Sequence, residues 1–223
     1  MDTRERIVEA AAALLTEGGR EAVSTRAVST AAGVQAPTIY RLFGDKQGLL
    51  DAVAAHGFQS YLDQKTGLTL TDDPVGDLRT GWDTHVGFGL ANPALYALIY
   101  GEPRPGRPNP AATEATAILA KLVRRVAAAG RLRVGEERAA QVVHAAGCGT
   151  TLTLIAQPPD RRDLTVSTLA RDAVLAAVTT DDPVTAPGPG PAAVALRAAL
   201  PGTSALTAHE RALLTEWLDR IAD

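Results

Sequence analysis

The stretch GVQAPTIYRLFGDKQGLL, residues 33–50, decides the fold because it combines a tight turn, a short helix and the start of a longer helix. Gly33 can adopt the positive φ of a turn, and Pro37 suits a first helical turn. Asp45 can cap the helix that follows. The short helix, predicted for about residues 36–42, has few core residues and many polar ones. Such a helix is suited to contacting something outside the protein.

Two further helices are predicted upstream of this stretch. Thr3 can cap the first of them, and Gly18-Gly19 can end it. Ser24 or Thr25 can cap the second, which is short. The apolar stripe of the first helix consists of Ile7, Ala11, Leu14 and Leu15. A Gly-centred turn joins the second helix to the third, and this arrangement predicts a helix-turn-helix, in which one helix enters the major groove of DNA.

Composition limits the classes of protein that the chain can belong to. Its 223 residues suffice for one large domain or two smaller ones, and no apolar run approaches the roughly 18–20 residues that cross a membrane. The N-terminus is charged from residue 2 and has no apolar signal segment. Cys148 is the only cysteine, which excludes an intrachain disulfide. We therefore expect a cytoplasmic protein with no membrane partner.

Charge permits DNA binding without demonstrating it. The net charge is −3, which argues against a general nucleic-acid coat. Residues 1–50 carry six basic and six acidic side chains. Within residues 20–46 the basic side chains are in excess. Contact with DNA must therefore depend on a few well-placed groups.

Helical periodicity continues through the rest of the chain, and no segment alternates like a strand. The sequence predicts helices from Pro74 to about residue 90 and from Pro93 to Tyr100, a proline-rich loop over 101–110, and three long helices near 110–129, 136–156 and 163–180. Residues 182–191 have the composition of a linker. Thr207 and Glu210 then have capping-box spacing before a helix with an apolar face. That tail has three possible docking sites: its own core, a partner subunit or another protein.

Residues 4–50 resemble the TetR family of transcriptional regulators. The resemblance lies in an amphipathic first helix ending in Gly-Gly, then STRAVSTAAGV, then PTIYRLFGDKQGLL, in the family's order and spacing. It implies an all-α fold with an N-terminal three-helix DNA-binding domain (1–47) and a C-terminal helical domain for effector binding and dimerisation (48–181). We place a Pro/Gly linker at 182–191 and a C-terminal helical extension at 192–223. Gly48 departs from the family, which often has an acidic residue there.

The resemblance also implies roles for individual residues. The positions expected to contact DNA are Thr25, Arg26, Gln35, Ala36, Pro37, Thr38, Tyr40, Arg41 and Lys46. Gln35 can present a donor and an acceptor together to adenine, and the methyl group of Thr38 can contact thymine. Tyr40 and Lys46 correspond to phosphate-contacting positions, whereas a solvated role for Arg26 is an equal alternative. Ile39 and its apolar neighbours are expected in the core. Two such helices in a homodimer would read a pseudo-palindromic operator.

The C-terminal half carries the candidate effector site. Aromatic and polar side chains in the segment 78–101 and on a later helix could line a largely apolar cavity for an unknown small molecule. These candidates are Trp82, His85, Phe88, Tyr96, Tyr100, His144 and Cys148. Each is also a residue that ordinary core packing would explain. His144 and Cys148 share a helix face, but no second pair of metal ligands accompanies them, so we expect no metal and no cofactor.

The leading hypothesis is a dimeric repressor that a small molecule releases from DNA. The alternative is a DNA-binding regulator, or an activator, that a protein partner controls without any small effector. An enzyme is not expected, because the sequence has no nucleotide-binding glycine loop, no metal-ligand cluster and no credible nucleophile, histidine and acid in series. Its four histidines lie in separate segments.

Overall fold

A computed structural model describes residues 2–64, 70–102, 104–180 and 188–222. In these ranges the chain is helical, as the periodicity predicts, and the only extended pairing is an isolated bridge between Leu132 and Thr179. No helix in the described ranges combines the length and the apolar character needed to cross a membrane. The helices are α1 (Thr3–Ala22), α2 (Thr25–Ala32), α3 (Ala36–Phe43), α4 (Lys46–Gln64), α5 (Pro74–Ala91), α6 (Pro93–Tyr100), α7 (Pro110–Ala128), α8 (Glu136–Ile155), α9 (Thr165–Val178), α10 (Pro189–Ala199) and α11 (Ala208–Ala222).

The first helix begins differently from the sequence prediction. Asp2, not Thr3, is the N-cap of α1, and its side chain accepts a hydrogen bond of 2.8 Å from the Glu5 backbone N–H. The Glu5 carboxylate in turn accepts one of 2.8 Å from the Asp2 N–H. The prediction that Thr3 caps α1 was wrong, because this reciprocal pair of hydrogen bonds needs an acceptor side chain three residues after the cap. Three residues after Thr3 is Arg6, whose side chain can only donate. Gly19, at φ 65°, interrupts α1 near its end as expected.

Two compact units divide the chain. Residues 1–68 and 87–115 form unit 1, residues 69–86 and 116–223 form unit 2, and the division falls inside α5 and α7. Of the predicted linker, residues 182–187 lie outside the described residues, and Pro189 already begins α10. The domain boundaries of the sequence analysis stay predictions.

Unit 1 supports the N-terminal helices. α1 packs against α2, α4 and α6, and α3 packs against α2 and α4. Buried apolar side chains from these helices form the core: Ile7, Ala11, Leu15, Val28, Ile39, Leu49, Leu50, Val53 and Phe58. Because α3 contributes only Ile39 as a fully buried side chain, most of its surface is left for other contacts.

Unit 2 contains the packed pair α8 and α9 and a buried ion pair at the start of α5. Asp77 is 9% exposed and pairs with Arg125. It also accepts hydrogen bonds from the backbone N–H of Thr71 at 3.0 Å and from its hydroxyl at 2.9 Å. Burial alone would raise the pKa of Asp77, but the hydrogen bonds from Arg125 and Thr71 outweigh it and hold the pKa below its usual value.

Asp77→Asn is expected to lower the free energy of unfolding by about 1–3 kcal/mol, because the amide cannot accept every hydrogen bond and leaves Arg125 without its counter-charge. Asp83→Asn is the matched control: Asp83 also pairs with an arginine, Arg171, but its side chain is 54% exposed. Asp83→Asn should lower the free energy of unfolding by less than about 1 kcal/mol. Urea unfolding of both variants measures the difference, and equal losses would contradict the assignment.

Candidate nucleic-acid interface

The turn between α2 and α3 depends on a left-handed glycine. Gly33 has φ 64° and ψ 39°, and its N–H donates to the carbonyls of Ser29 and Thr30. The N–H of Val34 donates to the Ser29 carbonyl at 3.0 Å, so the last carbonyls of α2 are satisfied. A side chain with a Cβ is strained at this φ. The turn therefore fixes where α3 leaves α2.

Ser24 is the cap of α2, which decides between the two candidates for that position. Its hydroxyl accepts a hydrogen bond of 3.1 Å from the backbone N–H of Ala27. Thr25 is then the first residue of the helix, where its side chain and backbone lie at the positive end of the helix dipole. This is a favourable position for meeting a phosphate group.

The start of α3 presents polar groups to the outside. Gln35 is the N-cap residue, but its exposed side chain makes no capping hydrogen bond. Ala36 and Pro37 form the first turn, and Thr38 is half-buried. Tyr40 is 52% exposed, whereas Ile39 beside it is 1% exposed and anchors the helix.

A concave, open surface of about 630 Å³ runs along α2 and the start of α3. Its lining brings together five of the nine predicted contact residues with four others: Thr25, Arg26, Ser29, Thr30, Gly33, Val34, Gln35, Ala36 and Tyr40. Pro37, Thr38, Arg41 and Lys46 do not line it. We call this lined surface the α2–α3 groove.

Two hydroxyl residues that line the α2–α3 groove, Ser29 and Thr30, were not predicted from the sequence. Ser29 and Thr30 follow Thr25 and Arg26 by four residues, which places them on the same helix face. This four-residue spacing is the sequence pattern that could have identified Ser29 and Thr30. The Thr30 hydroxyl donates to the Arg26 carbonyl at 3.1 Å, and the buried Ser29 hydroxyl oxygen has no hydrogen-bond partner among the described residues.

Cations near α3 are left without counter-charges. Arg26, Arg41 and Lys46 are exposed, and none forms an ion pair with a described residue. Arg20, by contrast, pairs with Glu102. Arg4 lies over the Phe43 ring, with its guanidinium carbon 5.1 Å from the ring centroid. Arg26, Arg41 and Lys46 are all among the residues that the sequence analysis assigned to DNA contact.

Lys46 is the first residue of α4, as predicted from the Asp45 cap. The Asp45 carboxylate accepts a hydrogen bond of 2.7 Å from the N–H of Gly48. A Cβ added at Gly48 would lie 2.0 Å from the carbonyl oxygen of Phe43, so this start of α4 has no space for a side chain there. The glycine that departs from the family pattern is thus required by the local backbone.

The candidate effector residues fall into two sets, one in each unit. The set in unit 2 surrounds Cys148, whose Sγ lies 3.9 Å from His85 Nε2 and 3.8 Å from His144 Nδ1. Trp82 is 4% exposed, and its indole N–H donates to the Ser167 hydroxyl at 3.0 Å. The backbone at Gly147 passes this cluster: a Cβ there would lie 3.6 Å from the His85 ring.

Burial favours the neutral form of both histidines of this set and so lowers the pKa of each. Desolvation is the main cause that lowers the pKa of His85 to about 4, and the charge on His144 adds to it. Desolvation also lowers the pKa of His144. Neutral imidazoles can each donate one hydrogen bond and accept one. Among the described residues no group of three or more His, Cys, Asp or Glu side chains is arranged to hold a metal ion.

The set in unit 1 is an aromatic cluster. The Phe88 ring centroid lies 5.7 Å from that of Phe58, 4.5 Å from that of Tyr61 and 6.2 Å from that of Tyr96. The rings of Tyr96 and Tyr100 are 4.6 Å apart. Tyr96 is fully buried, so these contacts describe a packed core. The role of both sets in ligand binding stays a prediction.

Comparison with known proteins identifies the N-terminal helices. Residues 7–53 match the family model described as bacterial regulatory proteins, tetR family. The matched range contains the whole α2–α3 groove and Lys46. No curated protein sequence matches the chain.

Solved structures share the fold over most of the chain. A protein from a Shewanella species assigned to the tetR family of transcription regulators has 20% identity and a TM-score of 0.63, over 81% of this chain and 100% of its own. A TetR variant from Acinetobacter baumannii in complex with minocycline has 20% identity and a TM-score of 0.59, over 79% and 96%. SmeT, the repressor of a Stenotrophomonas maltophilia multidrug efflux pump, has 23% identity and a TM-score of 0.58, over 85% and 98%. The helix-turn-helix of residues 7–53 thus matches the tetR family of bacterial regulatory proteins, and the chain as a whole shares the helical fold of these solved structures.

Proposed function

We propose that the protein is a dimeric repressor that binds a pseudo-palindromic operator through α2 and α3 and is released by a small molecule. The observation that carries DNA binding is the α2–α3 groove, whose polar side chains are accompanied by cations without counter-charges. Phosphate contacts from Thr25, Tyr40 and Lys46 would position the protein. Gln35 and Thr38 would read base edges.

Dimerisation is supported by apolar side chains that remain exposed on α8 and before and along α9. Val142 is 41% exposed, Leu164 56%, Val166 40% and Leu169 70%. Burying such side chains against a second copy removes apolar surface from water. Twofold symmetry would then present two copies of α3 to successive major grooves, about 34 Å apart.

Release by an effector is supported by the Trp82, His85, His144 and Cys148 set, which offers an aromatic wall beside neutral imidazoles. The A. baumannii variant is in complex with minocycline, and SmeT is the repressor of an efflux pump, so a similar fold occurs in a ligand complex and in a repressor. An effector must bind one conformation more tightly than the other, because equal affinity for both would shift nothing.

Selection of the full-length protein on random duplex DNA tests the DNA-binding proposal. We expect a pseudo-palindromic sequence to be enriched, and footprinting at near-physiological salt should protect both half-sites. Enrichment of no sequence, with binding that vanishes at that salt, would reject it.

Lys46→Ala is expected to weaken binding to the selected operator about tenfold and to reduce the slope of log K against log salt by about 1 for each half-site. The loss should be similar for all operator variants, because a phosphate contact carries no sequence information. Lys121→Ala is the matched control, since Lys121 is an exposed lysine on α7 outside the groove. Fluorescence anisotropy over a salt series gives both slopes, and identical slopes would remove Lys46 from the interface.

A further inference from the structure

The C-terminal helices form an antiparallel hairpin with a small core of its own. α10 packs against α11, and Ala193, Leu200 and Leu218 are buried between them. Arg197 pairs with Asp219 across the hairpin at 2.8 Å. Thr207 and Glu210 form the predicted capping box at the start of α11. The hairpin therefore has a defined shape, so its outer surface can be described.

α11 carries a second apolar stripe that its own hairpin leaves open. Leu214 and Leu218 face the hairpin core, whereas Leu213, Trp217 and Ile221 are 41%, 48% and 50% exposed. The spacing of four residues places these three side chains on one face of the helix. We call Leu213, Trp217 and Ile221 the outer stripe.

Charges beside the outer stripe identify the kind of partner that fits it. Glu216 and Arg220 lie along its edge and pair with each other at 3.8 Å, both largely exposed. This edge is thus neutral and carries one charge of each sign, while Glu210, three residues before Leu213, is held in the cap of α11 by Thr207. A nucleic acid or an anionic membrane surface would require an excess of basic side chains there. A surface with the same two charges in reverse order would complement this edge.

A second copy of α11 supplies that surface when the two helices run antiparallel. A twofold axis near Trp217 places the same edge of both helices on one side, so that Glu216 faces Arg220 of the partner subunit. Leu213 then lies opposite Ile221 of the partner subunit. Like patches that meet through such an axis form the commonest kind of protein dimer contact.

We propose that the outer stripe is a self-association surface, in which α11 pairs antiparallel with α11 of a second copy through Leu213, Trp217 and Ile221. This contact goes beyond the proposed function: it uses neither the α2–α3 groove nor the exposed side chains of α8 and α9. The proposed role of the C-terminal extension is therefore self-association of the protein.

Site-specific cross-linking of the full-length protein tests the pairing. In a Cys148→Ser background, which removes the only native thiol, one tagged chain carries Leu213→Cys and a differently tagged chain carries Ile221→Cys. On addition of oxidised glutathione as the oxidant, the mixture is expected to form the mixed disulfide about a hundredfold faster than either chain forms its own, because the pairing holds the two thiols at millimolar effective concentration.

Ala212→Cys replaces Leu213→Cys in the control, since Ala212 is exposed on α11 outside the outer stripe. Circular dichroism checks that each variant retains its helix content. A mixed disulfide no faster than that control, or a Leu213→Cys chain that links to itself as readily, would overturn antiparallel pairing. Self-linking of the Leu213→Cys chain is expected if the helices pair in parallel. A mixed disulfide no faster than the control is expected if the stripe contacts another protein or nothing. Operator binding is measured separately, so the cross-linking rates can be interpreted even if the DNA-binding proposal fails.

Discussion

Leu169→Glu is expected to break the subunit contact through α8 and α9, which lowers the association state at micromolar concentration, and to weaken operator binding by about 10²–10⁴-fold. Leu169 is 70% exposed in the single chain, so a carboxylate there leaves the fold of the subunit intact. In the proposed dimer, however, the same position is buried, and an unpaired buried charge is strongly unfavourable. The affinity falls because one half-site contact no longer raises the effective concentration of the other.

Sedimentation velocity and anisotropy with the selected operator measure the two effects on the same preparation. Thr168→Glu is the matched control, because Thr168 is the neighbouring exposed residue of α9 and does not belong to its apolar set. A Leu169→Glu protein that stays dimeric and binds the operator normally would show that the subunits meet elsewhere. The α11 contact would then be the first surface to examine.

Acidification is expected to destabilise the protein through His85, by about 3 kcal/mol between pH 6.5 and pH 4. Burial lowers the pKa of His85 to about 4 in the folded protein, whereas the unfolded chain titrates near 6.5. Well above pH 6.5 both states are neutral at this residue, and its contribution does not change with pH. As the pH falls toward 4 the unfolded state takes up a proton first, so the free energy of unfolding declines.

His85→Gln removes this titration while keeping a polar group near Cys148. Between pH 7 and pH 4, the free energy of unfolding of the variant should fall by about 3 kcal/mol less than that of the parent. Urea unfolding at each pH measures both values. His56→Gln is the control for the histidine-to-glutamine change, because His56 is exposed on α4. Parallel curves for the parent and His85→Gln would mean that His85 is protonated as readily in the folded state as in the unfolded one.

Local chemistry explains why the helices were predictable. Pro93 and Gly101 bracket α6, and the Thr207–Glu210 box begins α11, because helix ends depend on a few neighbouring residues. The same locality explains the error at the first helix cap, since Thr3 and Asp2 are adjacent candidates and only the position of Glu5 selects between them. Boundaries of this kind are decided by single hydrogen bonds.

Contacts between distant segments were not predictable in the same way. The approach of His85 to Cys148 joins α5 to α8, and no residue in either segment specifies the other. The sequence grouped Phe88 with Trp82 because they are neighbours in the chain, but the structure divides α5 between its two units. Ser29 was missed for another reason: a small hydroxyl residue within a helix has no distinctive pattern, although its spacing from Thr25 placed it on the groove.

The placement of the two tryptophans gives the protein two optical reporters of different kinds. Trp82 is buried with its indole N–H bonded to Ser167, and Trp217 is half exposed on the outer stripe. They are the only tryptophans in the chain. Their emission spectra therefore differ with the polarity around each ring, and Trp217→Phe leaves Trp82 as the single tryptophan, beside His85. Without any label, Trp217→Phe then reports on the surroundings of His85 through Trp82, and the difference between the parent and this variant reports on α11.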